Sequence, residues 1–273
     1  MESIELIEIA NEIKYAQDNN IQIQTISSRF PYFSKSDAYF VSELIHRLRL
    51  EEGYIPIGRK IGFTNIIMWP ILGIDEPIYS YVYNRTVTYI SDEIDVGYIS
   101  NLCEPRIEPE VVFHLSKTPK VNCDINDLLS CIDWISLGFE IVQSHYKNWE
   151  FKTVDTIVDA GLHRKLFIKE PIFFTPFNKN IIEELKTFDV SLFCNSKKID
   201  KGFGSNVLGN PLNSILYLID FLHKHNNSQM GLKAGEIIST GTLTKVLPIK
   251  DNETWSTQIN AISLPDISVC FKS

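Results

Sequence analysis

The sequence predicts an α+β fold, with a small helical N-terminal cap over residues 1–55 and a β-rich domain over residues 56–273. Three observations carry this. Apolar residues recur at helical spacing in two stretches before residue 53. From Tyr54 onward the apolar segments become short and are broken by Pro, Gly, Asn and Asp, the pattern of a strand-rich domain. A length of 273 residues suits one large domain, or a core domain with a smaller cap.

The elements follow in chain order. Ile4, Ile7, Ala10 and Ile13 step by three with Leu6 alongside, and Glu5, Glu8 and Glu12 supply a solvated face. The polar run Gln17-Asp18-Asn19-Asn20 ends this first helix. A second is expected to start near Ser36 as its N-cap, to present Val41, Leu44, Ile45 and Leu48 on one face, and to close at Glu51-Glu52-Gly53. One helix is expected to interrupt the strand-rich region near Ile125 to Leu137. Another is marked at its start by Asn210 as N-cap and Pro211 in the first turn, followed by the stripe Leu212, Ile215, Leu216, Ile219 and Leu222. These stripes read as core. No internal repeat, low-complexity segment or long linker stands out.

Composition excludes several classes. Hydrophobic content of 44% and charged content of 22% are ordinary for a globular protein. A net charge of −8 and a pI near 5.3 argue against nucleic-acid binding, since Lys197, Lys198 and Lys201 are too few and are diluted by Asp200. The five cysteines are odd in number and scattered, as expected of reduced thiols. The N-terminus is acidic, unlike a secretory signal, and no apolar run approaches the ~18 residues of a spanning helix. The expectation is a soluble cytoplasmic protein that assembles as a homo-oligomer and binds neither nucleic acid nor membrane.

The segment Pro105-Arg106-Ile107-Glu108-Pro109-Glu110-Val111-Val112-Phe113 carries most of the chemistry. Side chains two apart on a strand share a face, so Glu108 and Glu110 stand side by side next to an apolar run. Such a pair is either a solvent-exposed strand face or two carboxylates held together by a hard divalent cation. Glu140 lies among Ile135, Leu137, Phe139, Ile141 and Val142, where a glutamate is costly to bury without a partner. Lys60 sits between Gly58 and Gly62; by itself it is a solvated lysine or a partly buried ammonium.

The order of blocks resolves much of this. They are Gly58-Arg59-Lys60-Ile61-Gly62-Phe63-Thr64-Asn65, the Glu108/Glu110 segment, Gly138-Phe139-Glu140-Ile141-Val142 and Val154-Asp155-Thr156-Ile157-Val158-Asp159. Asn206-Val207-Leu208-Gly209-Asn210 and Ala234-Gly235-Glu236 through Ser239-Thr240-Gly241-Thr242-Leu243-Thr244 follow. In this order they resemble the fumarylacetoacetate hydrolase superfamily, nearest its 2-keto-4-pentenoate hydratase and 4-oxalocrotonate decarboxylase branch. The resemblance runs from about Asp37 to the end. It implies a mixed β-sheet roll in which residues 56–273 form the catalytic domain, and a metal-dependent lyase of aromatic-compound catabolism. Glu108, Glu110 and Glu140 would ligate one Mg²⁺ or Mn²⁺. Lys60 and Asp159 would be catalytic, with Asp155 and Asp159 as hydrogen-bonding groups around the ligands. Thr240, Gly241, Thr242, Leu208, Arg106 and His163 would contact a small 2-oxo acid.

Some positions depart from that branch. Ala160-Gly161-Leu162-His163-Arg164 replaces a small polar run, so His163 reads either as a proton-transfer group in place of a serine or as a surface histidine, the latter favoured. Ile78 stands where hydratases tend to place an acid, and His145 where the branch often has arginine. Two alternatives stay open: an acylpyruvate or fumarylacetoacetate-type C–C hydrolase, and a non-catalytic relative that binds 2-oxo acids.

Overall fold

Leu6, Ile9, Ala10, Ile13 and Ala16 form the buried stripe of the first helix, α1 (Ser3–Asn19), and Asn20 stops it by turning left-handed at φ 51°. The expected stripe is rotated from this. Ile4 and Ile7 are 69% and 49% exposed, because three-residue steps fall behind the 3.6-residue turn and walk off the buried face. The computed structural model describes residues 1–66, 69–72, 74–91, 94–173, 180–225 and 231–273. Gly73, at the start of the Gly73–Ile78 turn, therefore lies outside the described residues.

The remaining helices are α2 (Ile26–Arg29), α3 (Lys35–Glu51), α4 (Trp69–Leu72), α5 (Ile125–Leu129), α6 (Thr153–Val158), α7 (Ile181–Thr187) and α8 (Pro211–Lys224). Ser34, not Ser36, caps α3. Its hydroxyl accepts from the Asp37 amide at 3.1 Å while the Asp37 carboxylate accepts from the Ser34 amide at 3.0 Å. Only Ser34 has an acid three residues on to complete this reciprocal pair. Helix α8 starts as the sequence indicates, with Asn210 Oδ1 accepting from the Leu212 amide at 3.0 Å and Pro211 in the first turn.

The strands are β1 (Pro56–Gly62), β2 (Ile78–Tyr83), β3 (Val87–Ile90), β4 (Asp95–Tyr98), β5 (Arg106–Leu115), β6 (Ile132–Val142) and β7 (His163–Lys169). They continue with β8 (Ile172–Phe173), β9 (Asp189–Cys194), β10 (Lys197–Phe203), β11 (Ile237–Thr242), β12 (Leu247–Pro248), β13 (Thr254–Asn260) and β14 (Ser268–Lys272). The helix expected from Ile125 to Leu137 is a correction. It stops at Leu129, and Ile132 onward is the long strand β6. That strand is paired on both edges and covered on both faces, so its apolar run has no alternation to distinguish it from a buried helix.

Among the described residues the larger sheet runs β2-β1-β11-β5-β6-β7-β3, with β12 added to β5 and β8 to β6; the smaller runs β10-β9-β13-β14-β4. Pairings β1–β11, β3–β7 and β4–β14 are parallel and the others antiparallel. This is an α+β architecture of two mixed sheets. The main apolar cluster joins them, with Phe113, Leu137 and Phe167 from one and Leu192, Trp255 and Phe271 from the other, and α8 adds Leu212, Ile215 and Leu222. A second cluster joins α1 and α3 to Ile78, Tyr146, Ile157 and Val158. The cap is also pinned by polar contacts, since Asp155 accepts from the Ser27 amide at 2.9 Å and from its hydroxyl at 2.6 Å. Among the described residues no helix is long and apolar enough to cross a membrane.

Candidate metal and substrate site

Three glutamates meet because of the β5–β6 register. Glu108 stands directly opposite Glu140, and Glu110 opposite Gly138, so all three side chains leave the same face. Oxygen atoms of Glu108, Glu110 and Glu140 lie within 4.8 Å of one another, and all three residues are buried. Gly138 is required there: a Cβ would come within 2.9 Å of the Phe167 carbonyl oxygen.

Two of these carboxylates are anchored from behind. Glu110 Oε2 accepts from Ser239 Oγ at 2.5 Å and from the Gly241 amide at 3.0 Å. Glu140 Oε1 accepts from His163 Nδ1 at 2.6 Å, and His163 Nε2 lies 2.9 Å from Thr86 Oγ1. The other oxygens, Glu110 Oε1 and Glu140 Oε2, are buried without a hydrogen-bond partner. Lys60 Nζ, from β1, is 3.0 Å from Glu140 Oε2 as an ion pair without hydrogen-bond alignment, and donates to the Gly161 carbonyl at 2.9 Å.

The electrostatics point the same way. Burial pushes Glu108 up to about 8 and Glu110 well above the usual carboxylate range, with Glu140 adding to both. Burial also acts upward on Glu140, but the Lys60 ammonium and His163 outweigh it and hold the carboxyl down at about 2. Burial acts downward on Lys60, and the three glutamates outweigh it, so the amine is held above its ordinary value as an ammonium. One ammonium thus compensates one carboxylate of three. A buried oxygen without a hydrogen-bond partner among the described residues, and three buried carboxyl groups facing one ammonium, fit a hard divalent cation such as Mg²⁺ or Mn²⁺, which takes oxygen ligands and retains positions for water or substrate.

The cluster opens into a cavity of about 460 Å³. Lys60, Glu108, Glu110, Arg106, Gly241 and Thr242 line it. Thr240, Leu208, Asp159 and His163 do not reach it. Thr240 points away and donates its hydroxyl to the Val111 carbonyl at 2.9 Å, since alternate residues of β11 face opposite sides. Leu208 does not line the cavity; its amide donates to the Thr64 carbonyl at 3.0 Å and so braces the wall.

Asp159 is also displaced from the cavity. It is buried under His145, accepting from Nδ1 at 2.7 Å and from Gln17 Nε2 at 3.3 Å, and its role there is to join the cap to the end of β6. His145 is correspondingly spent on Asp159 and Gln143 and is no replacement for a substrate-facing arginine. His163 is not a surface histidine, and it does not line this cavity. Its side chain is 3% exposed and it stands behind Glu140. Asp155 caps α6, accepting from the Lys152 amide at 2.9 Å.

Sequence reasoning missed the apolar wall: Phe63, Trp69, Ile74, Trp149, Phe151 and Leu162. The aromatic density of residues 146–151 was its only sequence signal. Arg106 is stacked on Trp149, its guanidinium carbon 3.9 Å from the ring centroid. Its guanidinium makes no hydrogen bond or ion pair to a described residue, and Lys245 joins it on the cavity wall.

Gly241 sits at φ 104° in an irregularity of the β11–β5 pairing, and a Cβ there would fall 2.0 Å from Thr64 Oγ1. Both strain and clash act on the turn that presents the amide to Glu110. Gly241→Ala is therefore expected to lower Tm by at least ~2–4 °C, the shift of about 1 kcal/mol in a domain of this size. Calorimetry should show weakened Mg²⁺ binding alongside; an unaltered melt and affinity would contradict this placement.

No family model matches the chain. It is 26% identical to a 2-keto-4-pentenoate hydratase of Paraburkholderia xenovorans over 93% of this chain and 91% of that one. It is 25% identical to a 4-oxalocrotonate decarboxylase of Pseudomonas putida over 90% and 89%. The fold matches the solved 4-oxalocrotonate decarboxylase of Pseudomonas putida G7 complexed with magnesium and adipate, with a TM-score of 0.88, 24% identity and coverage of 99% and 98%. A fumarylpyruvate hydrolase of Pseudomonas aeruginosa, complexed with Mn²⁺ and pyruvate, matches at a TM-score of 0.59 with 12% identity over 78% and 88%. Near-complete coverage by both kinds of relative makes the chain similar along its length to 2-keto-4-pentenoate hydratases and 4-oxalocrotonate decarboxylases, and it shares the fold of the solved decarboxylase.

Proposed function

We propose that this protein is a Mg²⁺- or Mn²⁺-dependent lyase acting on a 2-oxo or 2-hydroxydienoate acid, with Glu108, Glu110 and Glu140 holding the ion. The observation that carries this is the cluster of three buried glutamates, in which Glu110 Oε1 has no hydrogen-bond partner among the described residues and Glu140 Oε2 meets only the Lys60 ammonium. When bound, the ion supplies positive charge for the oxyanion that develops at the 2-oxygen of the substrate. Lys60 adds a second positive charge to the same region and carries a proton that it can deliver to the carbon chain. Thr242 and the Gly241 backbone border the same end.

The opposite end differs in chemistry. Arg106 lies two residues before Glu108 on β5, about 7 Å along the strand, and with Lys245 it offers unspent positive charge to a second acidic group. Ile78 and Leu162 give the adjoining wall no proton-transfer group. These features favour loss of CO₂ from a 2-oxo dicarboxylate over addition of water to a monocarboxylate. In that reaction the bond to the leaving carboxylate breaks, its electron pair moves through the conjugated chain toward the 2-oxygen, and a proton returns to carbon. We propose catalysis of aromatic-derived 2-oxo acids in the cytoplasm by a homo-oligomer.

The test is ultraviolet absorbance on a panel of 2-oxo dicarboxylates, 2-hydroxydienoates and acylpyruvates with Mg²⁺. Turnover of the dicarboxylate members is expected, with 2-hydroxydienoates slower. Turnover of acylpyruvates alone would replace this reading with C–C hydrolysis, and tight binding of oxalate with no turnover would make the protein a 2-oxo-acid binder.

A further inference from the structure

In both anchored carboxylates one oxygen is tied from behind and one faces the centre. His163 occupies Glu140 Oε1 and leaves Oε2, which meets the Lys60 ammonium at 3.0 Å; Ser239 and the Gly241 amide occupy Glu110 Oε2 and leave Oε1. The anchors are themselves fixed. His163 is 3% exposed and held on its far side by Thr86, whose hydroxyl in turn donates to the Tyr83 carbonyl at 3.0 Å. Ser239 is buried in the β1–β11–β5 ladder. A carboxylate with one oxygen committed in this way gains less from turning to offer both.

We infer that His163 and Ser239 are positioning residues that select the ion, by limiting Glu140 and Glu110 to one ligand oxygen each. The inference rests on the metal reading above. Mg²⁺ and Mn²⁺ accept few carboxylate oxygens and fill the remaining positions with water or substrate, whereas Ca²⁺ takes six to eight oxygens and gains from bidentate carboxylates. One oxygen per anchored carboxylate therefore suits the smaller ions. Partners of ligands at such positions are typically worth 10–100-fold in affinity. His163 stands outside the cavity, so it acts through Glu140 and not on substrate.

The experiment is isothermal calorimetry of Mg²⁺ and Ca²⁺ with the full-length protein and three variants. His163→Ala frees Glu140 Oε1, and its preference for Mg²⁺ over Ca²⁺ is expected to fall about tenfold or more, mostly through weaker Mg²⁺ binding. His163→Asn places an amide donor near the Nδ1 position and is expected to restore most of the preference. Ser239→Ala leaves Glu110 Oε2 with the Gly241 amide alone and is expected to shift the preference the same way by less. It also tests the idea should His163→Ala fail to fold. Wild-type binding with an unchanged Mg²⁺ to Ca²⁺ ratio in the folded alanine variants, or failure of His163→Asn to restore it, would overturn the inference and leave the metal site standing. Absence of any divalent-ion binding by the wild type would overturn the metal reading beneath it.

Discussion

Replacing Glu108 with glutamine is expected to abolish divalent-ion binding and turnover together. Among the described residues Glu108 has no backbone or hydroxyl anchor comparable to those of Glu110 and Glu140, so its place in the cluster depends on what it binds. The substitution keeps the shape and removes one negative charge from three. Its effect on folding should have the opposite sign. Burial holds the Glu108 carboxyl above its ordinary value, at about 8, so the folded ion-free protein disfavours its ionised form relative to the unfolded chain. That cost grows as pH rises above the unfolded carboxyl's range and reaches its full extent above the folded value. Glu108→Gln removes it. The ion-free variant should therefore melt at or above the wild-type temperature at pH 8, while Mg²⁺ raises Tm in the wild type only. Calorimetry that returns wild-type Mg²⁺ affinity for the variant would sink the ligand assignment.

Lys60→Met is expected to separate chemistry from ion binding. Methionine roughly keeps the length and loses the charge, and the positive charge at this position stabilises the developing oxyanion and supplies a proton. Its removal should lower kcat by ~10²–10⁴-fold. Structure suffers in parallel when no ion is bound. Glu140 loses its ion-pair partner and the Gly161 carbonyl its donor in a fully buried setting. A lowered Tm without Mg²⁺, largely recovered with Mg²⁺, is the expected pattern. A rise in KM with kcat preserved would mean that Lys60 contributes uniform binding instead of transition-state stabilisation. Wild-type values for both would remove it from the site.

The division between what the sequence revealed and what it hid follows from the range of the interactions. Glu108 and Glu110 were legible because strand alternation is local, and Asn210-Pro211 because a helix start is encoded in adjacent residues. Glu140 needed the β5–β6 register, a contact between residues 32 apart in the chain, and only the ordered blocks pointed to it. Strand β6 itself was read partly as helix, since a run buried on both faces lacks the alternation that marks a strand. His163 was misread for a similar reason. Nothing near it in sequence shows that the start of β7 returns beside Glu140, which turns a polar residue at a loop end into a buried anchor. Asp159 looked like a site residue from its spacing, but the groups that claim it, His145 and Gln17, come from β6's end and from the cap.

The ladder from Arg106↔Val142 to Leu115↔Ile132 has a kinetic consequence for the protein's lifetime. Its amides lie in the middle of the larger sheet, where hydrogen exchange proceeds by cooperative unfolding of the whole domain. Helices α1 and α3 contribute no residue to the cavity themselves, but rest on an apolar cluster that includes Ile78 and packs against Phe63 and Phe151 of its wall, and they can detach and exchange first. Weakening that cluster, for instance through Ile13→Ala, should accelerate exchange and proteolysis in the cap before the β5–β6 amides exchange. The protein would age from its N-terminal end with its carboxylates still in register.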